Sequence, residues 1–358
     1  MKHALKVMVL LGMLTGCAGE SAEVGRGDRP VRPSVPDDGT DTGELVFRLS
    51  DLGFVTTGSN VGRNLDGLDT TVADRAAECS APSGATPRQD GPGGVDNAFG
   101  EVLAPALDLI LPCFESGVQL QQSLGRGTLL LRVEGWNGGA NDSAVTASLL
   151  VSADGTSDSL GDVMWEASTH QLVLTSDGTT PAADPQGVAD DVYMARPDSF
   201  DAEEGATPRV RDTNAYLSNG TLVFSLPDNA GVPLNGGGSS LVMRLTDGLI
   251  LAELSADFST INAGSISGRN DISAFLHAAE SVGVCPALAE AIEGQLGIVA
   301  DVHSNPNAAE GGDCDAISVG IPFVGAPATL AESAGKLTSA GTNPPLGNAC
   351  VEQDVPAC

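Results

Sequence analysis

Acidic and amide side chains lie close together in two glycine-rich stretches of the chain. The first spans residues 62–69 and the second spans residues 90–96, and their oxygen-bearing side chains are Asn64, Asp66, Asp69, Asp90 and Asp96. Carboxylate and amide oxygens on turn backbone suit Ca²⁺, which accepts irregular geometry. Asp and Asn also favour turns without any ion, because their side chains hydrogen-bond to nearby backbone. We therefore predict a calcium site at these five residues, with simple turn formation as the alternative.

A second acidic group lies just beyond residue 300. It contains Asp301, His303, Asp313 and Asp315. Carboxylates together with one imidazole can bind a divalent ion. These four residues are therefore a second candidate metal site, and the alternative is a polar loop that needs no ligand.

Signatures of known catalytic machinery are missing from the sequence. It contains no Gly-x-Ser-x-Gly nucleophile motif, no His-Glu-x-x-His zinc motif and no phosphate-binding Gly-x-x-x-x-Gly-Lys-Ser/Thr loop. Asp162 and Glu166 have the spacing of two acids on one face of a strand. Glycosidases use such pairs across a cleft, but a solvated strand edge has the same spacing. We assign no catalytic residue, and we favour a protein that is not an enzyme.

The first seventeen residues have the layout of an export signal. Lys2 and Lys6 precede an apolar stretch, residues 7–14, that is too short to span a bilayer. It ends in Leu-Thr-Gly-Cys17, which resembles the lipobox of bacterial lipoproteins; the alternative is an ordinary signal peptide with an incidental cysteine. The resemblance implies cleavage before Cys17, acyl chains such as palmitate on that residue, and stable anchoring. Because Ala18 is not Asp, the resemblance also implies the outer membrane.

The composition is strongly acidic. With 47 Asp and Glu against 17 Lys and Arg, the formal net charge is -30. Such a field repels nucleic acids and anionic membrane faces, so we expect no nucleic-acid partner. Aromatic residues make up only 4% of the chain, which is few for a surface that stacks sugar rings or bases.

Six cysteines follow the predicted lipidation site. They are Cys79, Cys113, Cys285, Cys314, Cys350 and Cys358. An even number in an exported chain indicates three disulfides, and no two of them have the Cys-x-x-Cys spacing of a metal site. Six cysteines allow many pairings, of which we predict bonds between nearest neighbours, 79–113, 285–314 and 350–358.

The body of the protein is predicted to be mainly β. In residues 44–49 the apolar side chains of Leu45, Phe47 and Leu49 stand at every second position, as on the buried face of a strand. Similar stretches follow, separated by turn residues such as Ser218-Asn219-Gly220 and Thr246-Asp247-Gly248, both typical of hairpins. Helices are fewer, and Asp271 is placed to cap one that begins at the next residue. These patterns predict β-sandwich-like lobes with a few helical insertions.

Composition divides the chain into four segments. These are a signal peptide at residues 1–16, a lipidated cysteine and flexible tether at 17–43, a first β-rich lobe at 44–180 and a second β-rich lobe with helices at 181–358. The tether is assigned because it is rich in Pro and Gly and has no apolar periodicity.

Several stretches together resemble a group of predicted bacterial lipoproteins common in myxobacteria-like genomes. They are the lipobox at residues 14–17, the acidic tether, Asn64-Leu-Asp-Gly67, and residues 93–100 and 314–323. The resemblance brings no known activity and no catalytic residue. We expect a membrane-anchored cell-envelope lipoprotein with a structural or binding role toward a protein or glycan that the sequence does not identify. The alternative is a secreted-type hydrolase, glycosidase-like or metal-dependent, tethered at the outer membrane.

Overall fold

A computed structural model describes most of the body of the chain. It covers residues 29–34, 41–54, 56, 61–70, 77–81, 88–105, 115, 118–119, 122, 127–152, 164–166, 171–173, 192–193, 195–201, 207–236, 239–281, 293–294, 296–330, 332–333 and 336–337. The predicted signal peptide and five of the predicted site cysteines lie outside these residues, namely Cys17, Cys113, Cys285, Cys350 and Cys358.

The described residues are mostly in β-strands. In chain order these are β1 (Gly43–Ser50), β2 (Leu129–Trp136), β3 (Asp142–Val151), β4 (Met164–Glu166), β5 (Gln171–Val173), β6 (Val192–Tyr193), β7 (Val210–Ser218), β8 (Thr221–Ser225), β9 (Ala230–Gly236), β10 (Ser239–Leu254), β11 (Ile261–Asp271), β12 (Ala316–Pro327), β13 (Thr329–Leu330), β14 (Glu332–Ser333) and β15 (Lys336–Leu337). The helical elements that the structure describes along their whole length are a π-helical turn (Phe99–Leu103), a 3₁₀ turn (Pro197–Ser199) and the α-helix α1 (Ile272–Ser281).

Eight strands close into one antiparallel barrel. Their order around it is β1, β2, β3, β7, β8, β10, β11 and β12, and β12 pairs again with β1. The first half of the long strand β10 pairs with β9, while its second half lies between β8 and β11. The mainly β prediction is confirmed, but the sandwich prediction is wrong because the sheet closes on itself. Closure joins strands from both predicted lobes, and strand periodicity says nothing about which sheet edges meet.

Inward-facing side chains fill the barrel. Alternate residues of a strand point to opposite faces, and the inward set on β1 and β2 is Phe47, Leu49, Leu129, Leu131 and Val133, all fully or almost fully buried. On the outside of the wall, a smaller cluster contains Leu130, Leu150, Tyr193, Ala195, Phe200 and Leu330. The strand pattern predicted from sequence therefore marks the barrel interior correctly on β1.

The two predicted hairpin turns have different outcomes. Asn219 and Gly220 join β7 to β8 with φ angles of 50° and 82°, the left-handed backbone that a tight hairpin requires. Thr246-Asp247-Gly248 does not form a hairpin but lies inside β10, where the pairing with β11 is irregular between Thr246 and Leu249. That prediction was wrong because each half of β10 pairs with different strands, so the chain does not need to reverse direction at these residues.

Helix α1 begins where the sequence predicts. Asp271 Oδ1 accepts a hydrogen bond from the backbone N–H of Ala274 at 2.9 Å, which is the usual bond of a helix N-cap. Phe275 of α1 packs into the core of the barrel. Among the described residues, no helix is long and apolar enough to cross a membrane.

Candidate functional site

Two long loops come together where β11 ends and β12 begins. One joins β1 to β2 and the other joins α1 to β12; we call their described residues 61–70, 77–81, 88–98 and 300–315 the acidic loop assembly. Ser80 N donates to Gly312 O at 2.7 Å, and Cys314 N donates to Ser80 O at 2.9 Å. Both predicted metal groups therefore belong to one structural unit, although more than 200 residues separate them in sequence.

A disulfide fastens the two loops to each other. Cys79 and Cys314 are bonded, with their Cα atoms 5.1 Å apart and a sequence separation of 235. The predicted disulfide role of these two residues is confirmed. The nearest-neighbour pairings 79–113 and 285–314 are wrong, because the backbone pairing of Ser80 with Asp313 brings distant segments side by side.

Arg269 of β11 ties both loops to the barrel wall. Its Nη1 donates to Glu78 Oε2 at 2.6 Å and to His303 O at 2.7 Å, and its Nη2 donates to Leu65 O at 2.7 Å. The Arg269 side chain is fully buried and that of Glu78 nearly so. Removing one member of such a pair leaves an uncompensated buried charge. Sequence analysis missed both residues, because no local pattern marks an ion pair that spans 191 positions.

Four of the five predicted calcium ligands hold the backbone of the assembly. Asn64 Oδ1 accepts from Gly67 N at 2.6 Å and Asp66 Oδ1 accepts from Leu68 N at 2.8 Å. In the same way Asp90 Oδ2 accepts from Thr70 N at 2.6 Å, and Asp96 Oδ2 accepts from Leu65 N at 2.7 Å. The bonds of Asn64 and Asp66 are the turn-forming alternative that the sequence left open, whereas those of Asp90 and Asp96 join residues 20 and 31 positions apart.

The carboxyl groups of this set also lie close enough to repel one another. Burial raises the pKa of Asp96 well above its ordinary value, and the charges of Asp66, Asp90 and Asp301 raise it further. Burial likewise raises the pKa of Asp66 to about 6, with a further contribution from Asp90. Burial raises the pKa of Asp90, and the charge of Asp69 raises it further. Burial and the charges of neighbouring carboxylates therefore both raise the pKa of Asp66, Asp90 and Asp96.

The second predicted group is dispersed within the assembly. Asp301 accepts from Ser318 N at 2.8 Å, and burial raises the pKa of Asp301 to about 6. Asp315 accepts from Ser304 N at 2.6 Å, and its Oδ1 lies 3.9 Å from His303 Nδ1. The Nε2 of His303 is 2.9 Å from Gly311 O. The remaining member, Asp313, is exposed.

Neither group has the arrangement of a metal centre as it stands. Within the described ranges, no three His, Cys, Asp or Glu side chains are placed so that they could hold a metal ion. The oxygens are already engaged by backbone and hydroxyl donors, so an ion would have to displace protons or rearrange these bonds. Calcium binding stays a prediction.

Asn97 is a further residue that sequence analysis missed. Its Nδ2 donates to Thr56 Oγ1 at 2.8 Å, Val61 O at 2.9 Å and Gly320 O at 3.0 Å, and its Oδ1 accepts from Gly320 N at 2.8 Å. A Cβ atom at Gly320 would lie 2.6 Å from Val61 O. Residues 93–100 and 314–323 are therefore two sides of one close contact, and Gly320 is the residue whose lack of a side chain permits it.

The predicted acid pair of the glycosidase alternative is not tested. Glu166 is the last residue of β4 and pairs with Gln171 of β5, whereas Asp162 lies outside the described residues.

Comparisons with known proteins gave no match on which to base a family or a function. No protein-family model matches the chain, and no curated protein or solved structure matches it either.

Proposed function

We propose that this protein is a lipid-anchored lipoprotein of the cell envelope, held at the outer membrane, with a structural or binding role. The observation that carries the proposal is the sequence Leu-Thr-Gly-Cys17 directly after a short apolar stretch with basic residues before it. A thiol at that position is what lipid attachment requires, and several acyl chains give stable anchoring where one is marginal.

The disulfide supports export of the body. Cys79 and Cys314 close a loop of more than two hundred residues, and disulfides persist in oxidising compartments but are rare in the cytosol. A covalent tie of this kind suits a domain that works outside the reducing interior of the cell.

The acidic loop assembly is the surface that we assign to binding. Its loops are held to the barrel by the buried pair of Arg269 and Glu78 and to each other by the disulfide, so their exposed residues are presented on a fixed frame. Fixed loops lower the entropic cost of binding a partner. A glycosidase-like hydrolase would instead need two acids that face each other across a cleft, whereas Asp90 and Asp96 are engaged by the backbone N–H groups of Thr70 and Leu65.

The anchor is tested by metabolic labelling with a palmitate analogue in a Gram-negative host. The wild-type protein should be labelled and fractionate with the outer membrane, and Cys17→Ser should be unlabelled and leave the membrane fraction. Ala18→Asp is the matched control, because it keeps the thiol: it should stay labelled but be retained on the inner membrane. Labelling of Cys17→Ser equal to that of wild type would refute the proposal.

A further inference from the structure

Part of the predicted tether lies on the outer wall of the barrel. Residues 29–34, which we call the strap, cross the outer face of β8, β7 and β3. Tyr216 Oη donates to Pro30 O at 2.5 Å, and Ser218 Oγ donates to Val31 O at 2.8 Å. Two side chains of β7 therefore bind two consecutive carbonyl groups of the strap.

Two arginines bind the strap to the barrel wall. Arg32 donates to the carbonyl oxygens of Ser143 and Asn214, and its guanidinium carbon lies 4.4 Å from the centre of the Tyr216 ring. A planar guanidinium can make both contacts at once, and a lysine cannot. Arg29 donates to Ser225 Oγ at 3.0 Å and lies 3.9 Å from Asp247 Oδ1. The strap is therefore a basic segment bound to a strongly acidic body.

The strap and the acidic loop assembly are linked through Asp247 of β10, which lies close to an arginine of each. Asp247 Oδ2 accepts from Arg63 Nη2 at 2.5 Å, and the charge of Arg29 helps to lower the pKa of Arg63, after burial as the larger cause. The irregularity of β10 at residues 246–248 places Asp247 between the two arginines. The carboxylate of Asp247 therefore contacts both the docked strap and the acidic loop assembly.

We infer that the strap is a latch that sets the distance between the lipid anchor and the barrel. The inference rests on the anchor at Cys17 proposed above. With the strap docked, about 12 residues separate the anchor from Arg29, and they reach about 40 Å at full extension. With the strap released, about 26 residues separate the anchor from β1, and they reach about 90 Å.

Docking is tested on the full-length chain in detergent with 3-fluorotyrosine. The chain contains two tyrosines, so the ¹⁹F spectrum should show two resonances: Tyr216, which Tyr216→Phe identifies by its loss, and Tyr193 as an internal reference. Arg32→Ala should shift the Tyr216 resonance and leave that of Tyr193 in place. Arg26→Ala removes the same charge from the same tether and should leave both resonances unmoved. In the wild type, 1 M NaCl should move the Tyr216 resonance toward its position in Arg32→Ala.

Two results of this experiment would overturn the docked strap. One is a Tyr216 resonance at the same position in wild type and in Arg32→Ala. The other is a resonance that moves on dilution of the wild type, because the strap would then bind a second copy of the chain.

The distance role is tested with lipidated protein in phosphatidylcholine vesicles that contain a dansyl-labelled lipid. Energy transfer from the two tryptophans to dansyl should be lower in Arg32→Ala than in wild type and unchanged in Arg26→Ala. Equal transfer in all three would overturn the distance role. Lack of transfer in the wild type would overturn the anchor and with it the distance role, whereas docking is judged by the ¹⁹F resonance alone.

Discussion

Replacement of Asp66 by asparagine should stabilise the protein at alkaline pH and have little effect at acid pH. The pKa of Asp66 is raised to about 6, chiefly by burial, from an ordinary value of 3.8. The folded state therefore binds a proton at this carboxyl more tightly than the unfolded state does. The stabilisation that this proton gives the folded state is fully present below pH 4 and is lost as the pH rises through 6. The amide of the variant would stay uncharged throughout, and its oxygen can still accept a hydrogen bond from Leu68 N.

The size of the effect follows from the shift. One pKa unit corresponds to about 1.4 kcal/mol, so a rise of roughly two units predicts that Asp66→Asn raises the free energy of unfolding by up to about 3 kcal/mol at pH 8 relative to pH 4. This figure is an upper bound because Asp66 is only half-buried and water screens part of the charge. Loss of the charge also removes one of the repulsions that raise the pKa of Asp96, so the wild-type curve should fall more steeply with pH than the variant curve.

The assay is urea unfolding at pH 4, 6 and 8 with a chelator present and the disulfide intact, followed by tryptophan fluorescence. Asp257→Asn is the matched control of opposite sign. Hydrogen bonds from Ser255 and Ser259 lower the pKa of the exposed Asp257 to about 2, so this variant should be less stable than the wild type at pH 6 and 8. Equal unfolding midpoints for wild type and Asp66→Asn at pH 8 would contradict the burial of this acidic group.

Two further predictions concern the same loops. If Ca²⁺ binds the acidic residues at 64–69 and 90–96, the melting temperature at pH 8 should rise with Ca²⁺ and fall with chelator, and the free energy of unfolding should increase by about 2.7 kcal/mol when free Ca²⁺ is a hundredfold above its dissociation constant. NaCl of equal ionic strength should change the melting temperature little, and Asp66→Asn should lose most of the rise. A melting temperature that changes with neither Ca²⁺ nor chelator would leave these acids as turn formers. Arg269→Met should cost about 3–5 kcal/mol because Glu78 is left buried and charged, and adding Glu78→Leu should recover part of that loss in chemical denaturation; a double variant no more stable than Arg269→Met would argue against the ion pair as the cause.

The sequence by itself determined the local features of this protein. The alternation around Phe47 and Leu49 identified a strand and its buried face, Asn219-Gly220 identified a hairpin, and Asp271 identified the start of a helix. The acidic residues of the first glycine-rich stretch were placed in turns, and the hydrogen bonds of Asn64 and Asp66 are of that kind. Each of these features depends on neighbours a few positions away, so residue spacing is enough to reveal it.

Only the tertiary structure decided how distant segments pair. Closure of the barrel through β1 and β12, the bond between Cys79 and Cys314, and the partners of Arg269 all join residues that lie far apart in sequence. Backbone hydrogen bonds between strands do not depend on residue type, a cysteine can bond to any cysteine within reach, and a buried arginine can donate to any carboxylate or carbonyl oxygen. Such partners are therefore selected by the packing of the whole barrel, which is also what places a Pro- and Arg-containing stretch of the tether against Tyr216.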